Sequence, residues 1–444
     1  MNQIIQQGRT TNESGSAGER GRPAKETRSA GRPGGAGRGS SQAGMRLYNE
    51  RLVLTLIRRH GRLPKAEIAR LTGLSAQTGS VIVKRLEADG LLRPEKPRRG
   101  RIGQPSVPFS LDPAGAFSVG LKIGRRSADL VLMDFVGRVV ARHRRAYRHP
   151  ETTGLRAFVA DGLKVLQQGL SPSARSRIAG LGVAMPGAMW DWQQEMGAPP
   201  GSLEPWRDFD VAAELASIVP WPVTVYNDAT AACAAELVFG AGGRLRTFLY
   251  VFVGSFIGGG VVMDGRLLHG RTGNAGALGS MPVPAPAERA KSVPVPAGRA
   301  EPAVRGATRQ LIQAASLFVL ERRCTETGFD PALVQGDAAA WAAMGGVADA
   351  WVEEAARTIA VAAVSSTALI DLEAVVVDGS FPPDVRRRIV AAIRLAVAGM
   401  DLQGLSPFSV VEGTIGADAR AIGGASLPLL AQFAVDSELL LKEG

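Results

Sequence analysis

A chain of 444 residues, 45% hydrophobic and 21% charged, has the composition of a folded soluble protein and is long enough for about two to three domains. Only two cysteines are present, Cys233 and Cys324, which argues against a disulfide framework and a cysteine-rich zinc site. The net charge of +11 is unevenly placed: residues 1–111 hold 21 Lys and Arg against 8 Asp and Glu, a net of +13, while the remainder holds 31 against 33, a net of −2. Such a basic segment on a near-neutral body is the footprint of a nucleic-acid-binding module; a membrane-surface protein would carry a basic amphipathic helix. No run of about 18 apolar residues occurs and the N-terminus has no signal-like core, so no membrane contact is expected and the expected location is the cytoplasm.

Residues 1–44 are rich in Gly, Ser, Arg and Pro, with hardly an apolar side chain after Ile5. They bury too little to offset ordering entropy and are read as a disordered basic tail. Arg20-Gly21-Arg22-Pro23, with Lys25 behind it and Gly-Arg-Pro again at Gly31–Pro33, resembles the AT-hook, whose extended Arg pair suits the narrow minor groove; the plainer reading is a generic basic tail.

The first folded module spans residues 45–111. Met45–His60 carries Leu47, Leu52, Val53, Leu56 and Ile57 at helical spacing, with Arg51, Arg58 and Arg59 expected outside, as a supporting helix. Pro64–Asp89 reads as two helices and a tight turn. Pro64 suits a first-turn position, Gly73 a left-handed stop, and Ser75 the cap of the second helix. Ala66, Ile68, Ala69, Leu71, Leu74, Val81, Ile82 and Leu86 supply the shared apolar face. Gln77, Thr78, Ser80, Lys84 and Arg85 remain outside, side chains that bond base edges and phosphates when such a helix enters the major groove of double-stranded DNA; an ordinary helical hairpin is the bland alternative. Leu91–Arg93 and Val107–Leu111 then frame Lys96, Arg98, Arg99 and Arg101 around Gly100 and Gly103. This is the pattern of a wing whose cations reach flanking phosphates, in preference to a simple joining loop.

Residues 112–444 read as an α/β body. Strands are expected at Phe117–Ile123, Ala128–Phe135 and Val139–Arg145, then helix Ala157–Gln168, strand Ile178–Val183, strand Val223–Tyr226 and helix Ala229–Val238. Phe248–Val253 and Gly259–Met263 open a second set. It continues with helices near Ala307–Thr325 and Val347–Asp371, strand Ala374–Asp378, helix Pro383–Ala398, strand Phe408–Glu412 and a closing helix near Arg420–Val435. Three strands followed by alternating helices and strands, twice over, predict two lobes around a cleft.

These residues resemble the ROK family (repressors, open reading frames and sugar kinases), in its repressor branch. The resemblance covers Met45–Glu443 and implies a winged helix-turn-helix followed by a two-lobed actin-like ATPase fold. Gly180–Gly187 is similar to the family's loop on the sugar side of the cleft, and Trp206 to a tryptophan preceding the helix at Val211–Ser217. Asn227-Asp228-Ala229, with Glu236, resembles the segment carrying the catalytic aspartate. Gly254–Gly260 with Asn274–Gly279 resembles the signature region. The ligand-binding candidates this implies are Pro186, Gly187, Asn227, Asp228, Ala277 and Ser280.

The departures bear on activity. The family's Asp-x-Gly-Gly-Thr hairpin is matched by Lys122-Ile123-Gly124-Arg125-Arg126, which replaces a metal-side carboxylate with a cation and two small residues with arginines. In the second phosphate loop, Gly254–Gly258, Phe256 stands at a glycine position. Phosphoryl transfer depends on positioning and metal-assisted charge stabilisation, so no kinase activity, catalytic residue, cofactor or metal is expected. Arg125 and Arg126 either bind an anion or are solvated. The family's zinc-binding cysteine run is matched by Pro282–Pro302, without cysteine, read as a flexible surface insertion. In the sugar motif a glutamate and a histidine are replaced by Ala277 and Ser280; Asp228 is left either to bind a hydroxyl or to cap the helix after it. The expected function is that of a DNA-binding regulator, a repressor, whose inert body senses a small molecule such as a sugar and forms homo-oligomers, dimer or tetramer. The alternatives are a sugar kinase with an accessory DNA-binding arm and a regulator that answers only to a protein partner.

Overall fold

Helix α1 (Gln42–His60) opens the computed structural model, which describes residues 42–97, 106–285 and 308–435. The helix starts three residues before Met45; the rest of the expected tail, with Arg20–Pro23, lies outside the described residues. A two-residue strand β1 (Leu63–Pro64) follows, then α2 (Lys65–Thr72), α3 (Ala76–Ala88), β2 (Leu92–Pro94) and β3 (Pro108–Leu111). The sheet order β1-β3-β2, antiparallel throughout, is that of a winged helix. Gly73 ends α2 at φ 71°, where a Cβ would be strained, and Ser75 Oγ accepts the Thr78 amide at 3.1 Å to start α3. Pro64 departs from expectation. It lies in β1 opposite Pro108 and precedes α2 in extended conformation, because pairing Leu63 with Phe109 seals the head's core.

The body consists of two sheets of the same topology. Strands β4 (Phe117–Ile123), β5 (Ser127–Asp134) and β6 (Val139–Ala146) form an antiparallel meander. After α4 (Leu155–Gln167) and the short α5 (Pro172–Arg175), β7 (Ile178–Met185) joins beside β4. Past α6 (Gln193–Met196) and α7 (Val211–Ala216), β8 (Val223–Asn227) completes the order β6-β5-β4-β7-β8 and leads into α8 (Asp228–Phe239). The second lobe repeats this with β9 (Phe248–Val253), β10 (Ile257–Met263) and β11 (Arg266–Leu268). Next come β12 (Pro282–Pro284), β13 (Thr308–Gln310), α9 (Ile312–Ala315), α10 (Leu317–Glu326), α11 (Ala338–Ala343), α12 (Gly346–Ile370), β14 (Ala374–Gly379), α13 (Pro383–Ala398), β15 (Ser409–Glu412) and α14 (Ala419–Phe433). Its sheet order is β11-β10-β9-β14-β15, and the parallel strands β9, β14 and β15 repeat the roles of β4, β7 and β8.

The expected insertion is corrected at its start. Pro282–Pro284 is a strand paired with Thr308–Gln310, and Val283 is fully buried. Proline is tolerated because this two-stranded ribbon needs no amide from it on the free side. Residues 286–307 lie outside the described residues.

Helices α8 and α14 cross between the sheets, each packed on the lobe that the other follows. The approach is close enough to require glycine: a Cβ at Gly423 would fall 1.9 Å from the Ala231 carbonyl oxygen, and one at Gly182 would fall 1.9 Å from that of Gly424. α14 also reaches the winged helix. Ala421, Ala425 and Leu429 share one apolar cluster with Val131, Met133 and Phe135 of lobe 1 and with Val53, Leu54 and Ile57 of α1. Head and body are thus joined by a common core, in which each buried Leu or Ile stabilises by about 1.5–3 kcal/mol.

Two arginines expected outside α1 are turned inward. Arg58 Nη1 donates to the Phe135 carbonyl at 2.7 Å and its guanidinium lies 4.9 Å from the Phe135 ring and 5.4 Å from that of Phe239. Arg51 Nη1 reaches the Ala434 carbonyl at 3.4 Å. Arg177 Nη1 contacts the Gly115 carbonyl at 3.2 Å and that of Gly90 at 3.5 Å, tying the end of α3 to lobe 1.

Candidate nucleic-acid interface and ligand cleft

On α3, Ile82, Val83 and Leu86 face the core, leaving Gln77, Thr78, Lys84 and Arg85 exposed and Ser80 half-buried. Val81, expected inside, is 60% exposed instead: it follows Gln77 by four residues and precedes Arg85 by four, so it lies on their stripe. Two outward groups already have partners. The Thr78 hydroxyl is 2.9 Å from Ser75 Oγ, and Arg85 Nε stands 3.4 Å from Glu50 Oε1 of α1 and 3.8 Å from Asp89 Oδ2. The base of the wing is formed by β2 and β3, with Lys96 exposed beyond it; Arg98, Arg99 and Arg101 lie outside the described residues.

In the body, Lys122 stands directly across from Asp129 in the β4–β5 register, and Asp129 across from Arg144 of β6. Lys122 Nζ is 3.1 Å from Asp129 Oδ2 and 3.0 Å from Ser127 Oγ, and Arg144 Nε is 3.4 Å from Asp129 Oδ1. Burial, joined by the nearby Arg420 charge, pushes the lysine down to about 8, against the pull of Asp129. Burial alone would raise the aspartate; the charge and hydrogen bond of Lys122 override it and hold Asp129 below the ordinary carboxylate range. Lys122→Asp, which places a carboxylate in this hairpin, would set it against Asp129. The unfolding free energy in urea is expected to fall by about 3–5 kcal/mol, as when one partner of a buried pair is removed; an unchanged urea midpoint would contradict the pairing.

Arg125 is not solvated. It is almost buried and crosses the cleft to lobe 2, with Nη1 2.7 Å from Glu321 Oε2 of α10. Arg126 remains exposed, on a groove shared with Glu195, Phe318 and Arg322. Beside it Phe256 packs against Trp192 of lobe 1, with centroids 5.8 Å apart, and edge-on to Phe318 of α10 at 5.4 Å. The 254–258 turn is itself clasped by α10: the Leu317 amide donates to Gly254 O at 2.9 Å and that of Phe318 to Ser255 O at 3.2 Å, while Ser316 Oγ accepts the Ile257 amide at 2.9 Å. Amide donors at a helix N-terminus, ordinarily available to an anion, are used on the protein's own carbonyls.

On the other side of the cleft, Asn227 rather than Asp228 caps α8, accepting from the Ala229 and Thr230 amides at 3.0 and 3.3 Å. A Cβ on Gly187 would stand 3.9 Å from its Nδ2, so the loop of half-buried Pro186 and exposed Gly187 faces it. Asp228 Oδ2 is 3.2 Å from Arg420 Nη1, on the first turn of α14. Ala277 and Ser280 are exposed on the turn across β10. There Gly258 approaches Ala229 and Gly260 approaches Cys233 so closely that added Cβ atoms would stand 2.6 and 2.5 Å away. Among the described residues no cluster of metal-ligating side chains occurs, and no helix is long and apolar enough to cross a membrane. The sequence did not single out Trp192, Glu321 or Arg420, whose partners lie too far along the chain for local pattern to find.

Comparison with known proteins accords with this architecture. Residues 48–102 match the MarR family and residues 118–429 the ROK family. The chain is 25% identical over 246 residues to the xylose repressor of Bacillus subtilis, a match covering 55% of this chain and 62% of that protein. In three dimensions it resembles a ROK family transcriptional regulator homologous to the E. coli Mlc protein, at 19% identity and TM-score 0.59 over 90% of this chain and 99% of the other. It also resembles the ROK glucokinase of Streptomyces griseus bound to glucose and AMPPNP, at 21% identity and TM-score 0.52 over 70% and 99%. With the ROK family matched over residues 118–429, more than half of this chain, and a MarR-type winged helix ahead of it, the chain belongs to the ROK family.

Proposed function

We propose that the protein is a cytoplasmic transcriptional regulator, a repressor, in which α3 reads operator DNA and the body binds a small effector without phosphorylating it. The observation that carries this reading is the shared core of head and body: α14 begins in the cleft at Arg420 and ends against α1, so whatever moves the cleft acts on the head. Gln77, Thr78, Ser80, Lys84 and Arg85 face the major groove, Val81 offers an apolar contact for a thymine methyl, and Arg98, Arg99 and Arg101 reach flanking phosphates. The effector lies between Pro186-Gly187 and Asn227-Asp228, near Ala277 and Ser280. Its binding shifts the head only if the two head arrangements differ in affinity for it. A homodimer places two such helices about one or two turns apart on a pseudo-palindrome.

Phosphoryl transfer is disfavoured by the Lys122–Asp129 pair, by Phe256 wedged between Trp192 and Phe318, and by the occupied amides of α10. Two measurements on the full chain test the reading. Fluorescence anisotropy with DNA from upstream of its own gene should show tighter binding than unrelated DNA, weakening as salt rises. A coupled ADP-release assay over a panel of sugars should show no turnover; turnover abolished by Asp228→Ala would instead establish a kinase with a DNA-binding arm.

A further inference from the structure

Asp228 and Arg420 come together across the cleft from opposite lobes, and their side chains keep only 15% and 13% of their surface. The guanidinium is held on several sides. Nη1 is paired with Asp228, Nη2 is 3.3 Å from Ser380 Oγ, and Cζ lies 5.0 Å over the Phe252 ring. Its Nε is buried and has no hydrogen-bond partner among the described residues. A second cation, Lys122, lies near enough to interact with both members of the pair.

A neutral polyol can donate to Asp228 Oδ1 while Oδ2 keeps Arg420, but it leaves the Arg420 Nε without a partner in a largely buried place. A ligand with both hydroxyl and carboxylate groups serves both residues at once. Its hydroxyl donates to Asp228, and its carboxylate accepts from Arg420 through a nitrogen pair that includes the unused Nε, a geometry the planar guanidinium fork favours. We propose that the cleft at Asp228 and Arg420 takes a polyhydroxy acid, a uronate or aldonate, rather than a neutral sugar. This rests on the reading of the body as an effector sensor. It also explains how occupancy reaches the head, since Arg420 is on the first turn of α14 and Leu429 near its far end packs in the α1 core.

The test is isothermal titration of the full chain with D-galacturonate, D-glucuronate and D-gluconate, with D-galactose, D-glucose and D-xylose as neutral partners and glucose 6-phosphate as an anion without a carboxylate. At least one acid should bind at least about tenfold tighter than its neutral counterpart, and Arg420→Gln should erase that preference. Should Arg420→Gln alone unfold, Asp228→Asn/Arg420→Gln, which removes both charges, takes its place with the same expectation. Neutral sugars binding as tightly as the acids, binding of the phosphate ester alone, a preference that survives the loss of Arg420, or no acid binding up to about 20 mM would each overturn the proposal. A neutral sugar that binds and releases DNA would overturn it while leaving the sensor reading intact; absence of specific DNA binding would sink the regulator reading whatever the acids do.

Discussion

Replacing Gln77 and Lys84 together with alanine is expected to weaken specific operator binding by about 10²- to 10³-fold, because a base-edge hydrogen bond and a phosphate ion pair are both removed. Both side chains are exposed on α3 and outside the head's core, so the thermal unfolding curve should hardly move. The single variants should separate. Gln77→Ala relaxes base preference at one position, while Lys84→Ala weakens all sequences alike and lowers the slope of log affinity against log salt by about one. Competition anisotropy at several salt concentrations reads both effects. If the double variant binds the operator like wild type, α3 does not enter the groove by this face. Arg85 is a different case: paired with Glu50 and Asp89, it has to give up those partners to meet a phosphate, so its alanine variant should weaken binding less than Lys84→Ala.

Arg58→Ala is expected to lower the unfolding free energy by about 2–4 kcal/mol, because a desolvated site is deprived of a charge-assisted hydrogen bond and of two cation–π interactions. Burial pushes this guanidinium down to about 10, against the opposing pull of Asp134. The Phe135 carbonyl would be left without the donor it now has at 2.7 Å. Because Arg58 ties α1 to the end of β5, the damage should fall on the junction. Limited proteolysis should cut near residues 112–116 sooner in the variant than in wild type, and effector binding should no longer change DNA affinity. A stability within about 0.5 kcal/mol of wild type, with unchanged proteolysis, would mean that the junction is held by the apolar cluster alone.

The order of elements is legible because each lobe writes its pattern twice. β4 and β9 are apolar runs each ended by a turn that opens on a glycine, Gly124 and Gly254, and alternating helices and strands follow each, so the two lobes follow from the pattern, whereas the short β11 (Arg266–Leu268) leaves no signal in it. Ser75 and Gly73 likewise announce their caps in the sequence. Local reading fails where a side chain is fixed by a distant partner. Arg58 near the end of α1 looks like a solvated basic residue until the carbonyl 77 positions away is placed beside it. Asp228 looks like a helix cap, yet Asn227 takes that role and Asp228 pairs with a residue 192 positions on. Arg125 looks solvated or anion-binding because Glu321 is equally remote. Val81 is apolar yet exposed, as its spacing of four from both Gln77 and Arg85, which puts it on their face, already implies. Pro282–Pro284 misleads because two prolines suggest a loop, whereas a ribbon bonded on one side only can hold them.

A winged-helix head sharing one core with a body whose cleft is filled by salt bridges and aromatic packing accounts for these features together. Footprinting of the full chain on DNA from upstream of its own gene tests this most directly. A discrete protected segment is expected, arranged as two related half-sites, that disappears with Gln77→Ala/Lys84→Ala and persists without nucleotide. Uniform or absent protection by folded protein at low salt would contradict it.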